Sequence, residues 1–440
     1  MLHVFLHNEK CGSLERDGSR YGFKFSYEPG WKPGAGRCRL SMSMPRDASD
    51  EWAYDQCRGF FRGLLPEGRR RELLSGRADP NDDYALLEKA GDECAGAVTV
   101  TAGDIADLGD PSTLPVTEAA LMDALRRNMP LKVEGGRGVR RFSLAGVQPK
   151  ETLYFDQGED PETAPLRKAG GSLLSTHIIK PGLSADFPGL AWNELFCMRL
   201  AESLKISVPP SCVREVEGVP CLVIARLDRA FQDGRPYQIH QEDLCQALGA
   251  LEKYEYADGA EKLGPGFAEM PAILRSMKVP AMEKPKIRHW AVFNLLAGNA
   301  DAHGKNLSMI HRMGGGVELA PFYDLVCTAR YPEITTDLAM AFGKERNPNA
   351  LLMEDFELWA IDLDVKWQVA HKTIKEVCVS MADAAEIVRA EKIPQAGRAV
   401  ATGIIREIRR RVQMVSDVFG FGFDAQSEPA ERALGWRLPS

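Results

Sequence analysis

Nowhere does the chain hold the roughly 18 consecutive apolar residues that a membrane-crossing helix needs, so a single-pass or multi-pass helical anchor is not expected. The opening Met1-Leu2-His3-Val4-Phe5-Leu6-His7 also lacks a basic n-region and a small-residue cleavage site, the marks of a secretory leader. Cysteine is present ten times but never as a C-x-x-C pair, which argues for buried reduced thiols rather than a disulfide or zinc framework. A cytoplasmic protein without membrane contact is the expectation. Positive charge is in deficit: 55 Lys and Arg face 62 Asp and Glu, giving a net charge of −7. Such a chain does not grip nucleic acid with its whole surface. Only local basic runs remain, at Arg69-Arg70-Arg71, at Arg137 with Arg140-Arg141, and at Arg406 with Arg409-Arg410-Arg411; runs of this kind are usually solvated faces. No internal repeat or low-complexity tract is visible.

What is present is an ordinary globular composition, 44% hydrophobic and 27% charged, in a 440-residue chain too long for one core. Residues 1 to about 45 alternate apolar and polar around turns at Asn8-Glu9-Lys10 and Asp17-Gly18, which predicts a small antiparallel meander. Helical spacing follows from about 50 to 92, broken at Leu64-Leu65-Pro66, and Val98-Thr99-Val100-Thr101 reads as a strand. The Gly/Pro/Asp-rich stretch 102–117 marks a boundary. Strands dominate again to about 226, with one helix near Trp192 to Leu204, and helices dominate after 241 except for a hairpin between 307 and 320. The predicted class is α+β, with three regions: 1–115, 116–240 and 241–440. Strands first and helices later suggest two lobes with a cleft.

The strongest chemical signal is Asp301-Ala302-His303-Gly304-Lys305-Asn306, preceded by an apolar helix and followed by strands around Gly314-Gly315-Gly316, then Pro321-Phe322-Tyr323-Asp324. Helix, Asp-x4-Asn, hairpin, Asp is the layout of a protein-kinase catalytic segment. One carboxylate meets the attacking hydroxyl; an amide oxygen and a second carboxylate hold Mg²⁺ over the triphosphate. Taken singly, Asp301 and Asn306 read equally as turn caps. Lys180 ends the apolar strand Thr176-His177-Ile178-Ile179-Lys180, where it fits either a phosphate ligand or a snorkelling strand-end lysine, with Glu194 as a partner in the first case. Ser143-Leu144-Ala145-Gly146-Val147-Gln148-Pro149-Lys150, after the glycines at 135, 136 and 138, suits close backbone approach to phosphates. It does not match G-x4-G-K-[ST], and a plain turn fits as well.

Together these pieces resemble the HipA family, the kinases of bacterial type II HipA–HipB toxin–antitoxin modules. The resemblance runs nearly end to end, through Phe60 to Pro66, Leu86 to Val98, Ser143 to Lys150, Thr176 to Lys180, Gln241 to Gln246, Gly264-Pro265-Gly266, Asp301 to Asn306 and Phe322-Tyr323-Asp324. It implies a two-lobed protein-kinase-like fold, with a mixed α/β N-terminal lobe and a helical C-terminal lobe, and ATP and Mg²⁺ as cofactors. By position it implies Asp301 as catalytic base, and Asn306 and Asp324 as metal ligands. His303, Lys305 and Lys180 fall at nucleotide-contacting positions, and Ala145, Gly146, Val147, Gln148, Pro149 and Lys150 form a loop over the phosphates. Arg226 and Leu227 form the hinge beside adenine, where this chain has Ala225-Arg226-Leu227-Asp228-Arg229 against the family's Glu-Arg-Phe-Asp-Arg. Ser143 is the position of self-phosphorylation. The implied partners are a HipB-like helix-turn-helix antitoxin, operator DNA reached through it, and an aminoacyl-tRNA synthetase substrate, glutamyl-tRNA synthetase foremost. Two other classes stay open on the sequence: a catalytically weak corepressor, and a small-molecule phosphotransferase.

Overall fold

The computed structural model describes residues 1–34, 36–105, 109–131, 148–183, 186–251, 254–257 and 260–422, with 254–257 and 260–263 as backbone only. Ser143 and Ala145 to Val147, together with the Arg137–Arg141 run, therefore lie outside the described residues. The chain groups into two compact units, each woven from three segments. The first takes residues 1–183, 209–265 and 304–320, and the second residues 184–208, 266–303 and 321–440.

The first unit begins with an antiparallel sheet in the order Glu51–Trp52, Phe23–Tyr27, Glu9–Arg16, Leu2–Leu6, Val98–Thr101. Its pleat follows the alternation of the sequence: Phe23, Phe25 and Tyr27 are buried while Lys24 and Ser26 between them are only half-buried. The first hairpin turns at His7-Asn8, both at positive φ, with Leu6 opposite Glu9. This two-residue loop matches the twist of its strands, and it places the turn one residue before the Asn8-Glu9-Lys10 expected from sequence. Phe60 and Phe61 of the helix Tyr54–Gly63 close this core, Phe61 lying 5.4 Å from Phe25 between ring centroids.

A second sheet of the same unit orders Ser211–Val216, Val219–Ala225, His177–Pro181 and Glu151–Leu153, all antiparallel. The helix Glu118–Arg127 packs Leu121 and Leu125 into the same core as Leu153, Ile179 and Val223. The third sheet pairs His240–Asp243 with Ser308–His311, and the latter with Val317–Leu319. The expected hairpin between 307 and 320 is thus present. The strand at 240–243 and a further hairpin, Tyr254–Ala257 with Ala260–Leu263, interrupt a stretch that the sequence predicts as helical.

Close approach needs glycine where two helices of this unit meet. A Cβ on Gly59 would lie 2.5 Å from the carbonyl oxygen of Gly249, and one on Gly63 would lie 2.5 Å from Cγ of Gln246. The bare face lets the helix Tyr54–Gly63 settle on the short helix Leu244–Leu248, where Gln246 Nε2 donates to the Phe60 carbonyl at 2.9 Å. Two segments that carry the family resemblance, Phe60 to Pro66 and Gln241 to Gln246, therefore pack directly on each other.

The second unit is helical: Leu190–Ser203, Met270–Arg275, Pro280–Ala297, Met353–Asp362, Trp367–Glu391 and Arg398–Phe419. The helix Pro280–Ala297 has apolar side chains on nearly every face of its last three turns, from Ile287 to Ala297, as a helix in the middle of a core must. It stops at Gly298, whose φ of 74° forms a left-handed cap. No helix among the described residues is long and apolar enough to cross a membrane.

Two of the three basic runs are only partly open: Arg69, Arg406 and Arg410 are exposed, while Arg70, Arg71 and Arg411 are buried. Arg70 bonds Glu151 at 3.1 Å and Arg71 bonds the buried Asp83. Arg409 reaches Glu386, Arg410 reaches Glu407, and fully buried Arg411 bonds Glu407 at 2.6 Å and the Leu295 carbonyl at 3.3 Å. Arginine here serves the core, with carboxylates supplied for it.

Candidate kinase site

Because the helix Pro280–Ala297 ends in a left-handed glycine, the chain turns sharply and presents Asn299-Ala300-Asp301 as a loop of the helical unit. Asp301 stands at its tip with 51% of its side chain exposed and His303 Nε2 3.5 Å from its carboxylate. A carboxylate this exposed is open to an incoming hydroxyl, as a general base has to be. Asp324 is on a second loop of the same unit, half-buried, with φ of +53°.

Hydrogen bonds hold these two loops to each other. Asn299 is 2% exposed. Its Oδ1 accepts from the Asp301 N–H at 3.1 Å, and its Nδ2 donates to the Asp324 carbonyl at 3.3 Å and to Asn294 Oδ1 at 2.8 Å. Thr328 makes a second tie, accepting from the Ala300 N–H at 2.8 Å and donating to the Gly298 carbonyl at 3.0 Å. Behind them Asn193, from the helix Leu190–Ser203, accepts from the Cys327 N–H and donates to its carbonyl. The structure thus brings the neighbourhoods of Asp301, His303 and Asp324 together in one unit through carboxamides and a hydroxyl. Sequence reasoning passed over Asn299, Asn294 and Thr328, since a buried amide after a cap glycine carries no signal in a single sequence.

The catalytic run changes units between His303 and Gly304. Gly304–Asn306 form one 3-10 turn of the first unit, with Asn306 buried. Lys305 pairs with Glu67 at 2.9 Å; burial alone would lower its pKa, but the Glu67 carboxylate outweighs that and holds it up. Lys180 is buried on the strand His177–Pro181, opposite Leu222 and one residue beyond the Ile179–Glu151 pair. Gln148 and Pro149 are half-buried, and the Lys150 carbonyl accepts from Arg70. Next to it the buried Glu151 carboxylate takes Arg70, Lys168 at 2.6 Å and the Leu131 N–H at 3.2 Å. One carboxylate thereby fixes residues 131 and 151, the chain on either side of the Ser143–Lys150 segment.

At the expected hinge the Arg226 N–H bonds the Thr176 carbonyl, and Leu227 is half-buried. The Arg226 side chain turns inward to a four-charge cluster. Its guanidinium bonds Glu93 at 2.9 Å and Asp228 at 2.8 and 2.9 Å; Arg229 bonds Glu93 at 3.1 Å. Ser175 Oγ and the Gly96 N–H complete the acceptors' shells. Burial would raise the Asp228 pKa, but Arg226 and Arg229 overcome it and take it down to about 2. Glu93 gave no sign of this role in the sequence.

Asn306, in the first unit, carries an amide oxygen and Asp324, in the second, a carboxylate, both hard oxygen donors of the kind magnesium takes. Among the described residues no group of three or more His, Cys, Asp or Glu is placed to hold a metal ion.

Residues 2–101 match the HipA N-terminal domain and residues 142–385 the HipA-like C-terminal domain. A Sinorhizobium fredii protein named "Putative kinase Y4mE" is 34% identical over 87% of this chain and 90% of its own. The serine/threonine-protein kinase toxin HipA of Shewanella oneidensis is 31% identical over 80% of each. The solved complex of Shewanella oneidensis HipA with HipB and operator DNA superposes with a TM-score of 0.78 at 26% identity, over 95% of this chain and 99% of that one. The α+β fold, the run from Asp301 to Asn306 and these matches agree: the chain belongs to the HipA family of serine/threonine protein kinases.

Proposed function

We propose that this kinase is the toxin of a toxin–antitoxin pair, using ATP and Mg²⁺ to phosphorylate a serine of an aminoacyl-tRNA synthetase, with glutamyl-tRNA synthetase the foremost candidate. The observation that carries the catalytic part is the open Asp301 carboxylate on a loop bonded to the Asp324 loop. Asp301 accepts the proton of the acceptor hydroxyl as it attacks. Asn306 and Asp324 would hold the magnesium, which would supply positive charge against that developing on the transferred phosphoryl group. Lys180 pairs with the α/β-phosphates, and the segment Ala145 to Lys150 covers them, with His303, Lys305 and the Arg226-Leu227 backbone completing the nucleotide contacts.

A synthetase makes physical sense as the victim. A phosphate of roughly −1.5 to −2 charge in the loop beside its ATP site stands where ATP's own phosphates must go. One modification then stops aminoacylation, and uncharged tRNA accumulates. The same repulsion accounts for self-inactivation through Ser143, which flanks this kinase's own phosphate segment. Intact-mass analysis of purified synthetases after incubation with the kinase and Mg·ATP tests both parts. One added phosphate on the glutamyl enzyme, and one on the kinase that maps to Ser143, are the expected results. Label on another protein class alone would end the synthetase assignment and leave the kinase standing.

The relative's solved complex with HipB and operator DNA supports a helix-turn-helix antitoxin as partner and DNA contact through it. A net charge of −7 leaves this chain little to offer phosphates alone. In a gel shift the isolated chain is expected to leave operator DNA unshifted and to supershift an antitoxin–DNA complex. Tight sequence-specific binding by the chain alone would contradict this.

A further inference from the structure

The two carboxylates assigned to the reaction both sit on loops rather than in a helix or strand. Asp301 is half exposed, with His303 Nε2 3.5 Å from its carboxylate. Asp324 sits in a left-handed conformation, which costs a non-glycine residue on the order of 1 kcal/mol and persists only where surroundings enforce it. Both are addressed by one side chain. The Asn299 carboxamide has one oxygen and two N–H groups, and all three functions are taken: the Asp301 N–H, the Asp324 carbonyl and Asn294 Oδ1.

The direction of that amide is fixed by a chain of bonds running back into the helix. Asn294 Nδ2 donates to the Trp290 carbonyl at 2.8 Å, so its oxygen faces Asn299 and only the NH₂ of Asn299 can meet it. The backbone N–H of Asn299 also bonds the Asn294 carbonyl at 2.9 Å. Trp290, the origin of the relay, is buried and stacks on Phe322, two residues before Asp324, at 5.9 Å between ring centroids. The relay therefore runs from a helix residue whose ring packs on Phe322 to the carbonyl of Asp324.

We infer that Asn299 is a positioning residue for phosphoryl transfer: its carboxamide sets the base-bearing loop at Asp301 in register with the metal-bearing loop at Asp324. This rests on the catalytic roles given above to those two aspartates. Asn299 touches no reactant. It acts by holding two backbones at the spacing that an in-line transfer needs, where a misplacement of about 1 Å costs on the order of 10²-fold in rate. No other side-chain type does this at the same length. Aspartate keeps the acceptor but has no N–H to give, and would set an oxygen against the Asp324 carbonyl; leucine has the shape and neither function.

The test uses the full chain with Asn299→Asp and Asn299→Ser, alongside Asp301→Asn and Asp324→Asn, all read at fixed ATP with Mg²⁺ varied. For Asn299→Asp the expected result is a kcat lower by about 10- to 100-fold and a half-activating Mg²⁺ concentration raised about tenfold, with KM for ATP moved far less. Asn299→Ser, short enough to admit a bridging water, is expected to recover part of both. A merely structural asparagine would lower the folded fraction and kcat together and leave the Mg²⁺ requirement of the folded enzyme alone. A wild-type Mg²⁺ requirement in folded protein of both variants overturns the inference, provided that Asp301→Asn and Asp324→Asn are inactive. If those two phosphorylate normally, the reading of the site itself has failed.

Discussion

Asp301→Asn leaves a folded protein whose phosphotransfer is slower by about 10²–10⁴-fold, the usual worth of general-base assistance. The fold survives because the replacement is nearly isosteric and the side chain it alters is half exposed. The loop is shaped instead by the backbone bond to Asn299 and by the Ala300–Thr328 bond, which an asparagine at 301 leaves in place. What is lost is the acceptor for the hydroxyl proton: the near-isosteric amide can still accept a hydrogen bond but cannot take a proton at neutral pH. Single-turnover phosphorylation with the thermal midpoint measured on the same sample distinguishes the two effects. Wild-type turnover by this variant would remove the kinase mechanism from this loop.

The largest stability effect is expected far from the chemistry, at Asp228→Asn. Glu93, Asp228, Arg226 and Arg229 are two negative and two positive charges, all buried. Four charges can stay out of water only while they cancel. Removing one carboxylate leaves an uncompensated guanidinium in the interior, which typically costs about 3–5 kcal/mol. Asp228 also takes the Gly96 N–H, so the variant loosens the meeting of the two family domains, Glu93 and Gly96 belonging to the first and Asp228 to the second. Denaturant unfolding at neutral pH reads the loss directly; a change under about 1 kcal/mol would mean the cluster is not held together by charge balance. The pH dependence has a definite sign. With the pKa of Asp228 depressed from 3.8 to about 2, its contribution is complete above pH 3.8 and disappears as pH falls towards 2.

The elements of this fold that local pattern controls were legible beforehand. Val98–Thr101, the helix broken at Pro66, the hairpin after Asn306 and the helix through Trp192 all follow from periodicity and turn residues. Pairings between distant segments were not. Nothing in His240–Asp243 announces Ser308–His311 as its partner, and the segment sits beside a helical stretch that pulls the reading the wrong way. The basic runs divide: Arg69, Arg406 and Arg410 are exposed as a run of charge suggests, whereas Arg70, Arg71 and Arg411 are buried against Glu151, Asp83 and Glu407, carboxylates remote or a turn away in sequence. At the candidate site, the residues proposed for the chemistry stand out by type and spacing. Asn299 and Glu93, bonded to their loops, are ordinary residues whose meaning is entirely spatial.

The interleaving of the two units has a consequence for how the protein is made. The sheet that begins at His240 lacks its middle and outer strands until residue 320 has left the ribosome, and the second unit draws its bulk from later still. At the usual roughly 5–20 residues per second, the nascent chain spends on the order of ten seconds with the first 183 residues emerged and neither unit able to close. A ribosome that stalls before residue 308 releases a chain whose strand His240–Asp243 has yet to meet its partner. For this kinase, completion of both units waits on the later part of the chain and comes as a single late step.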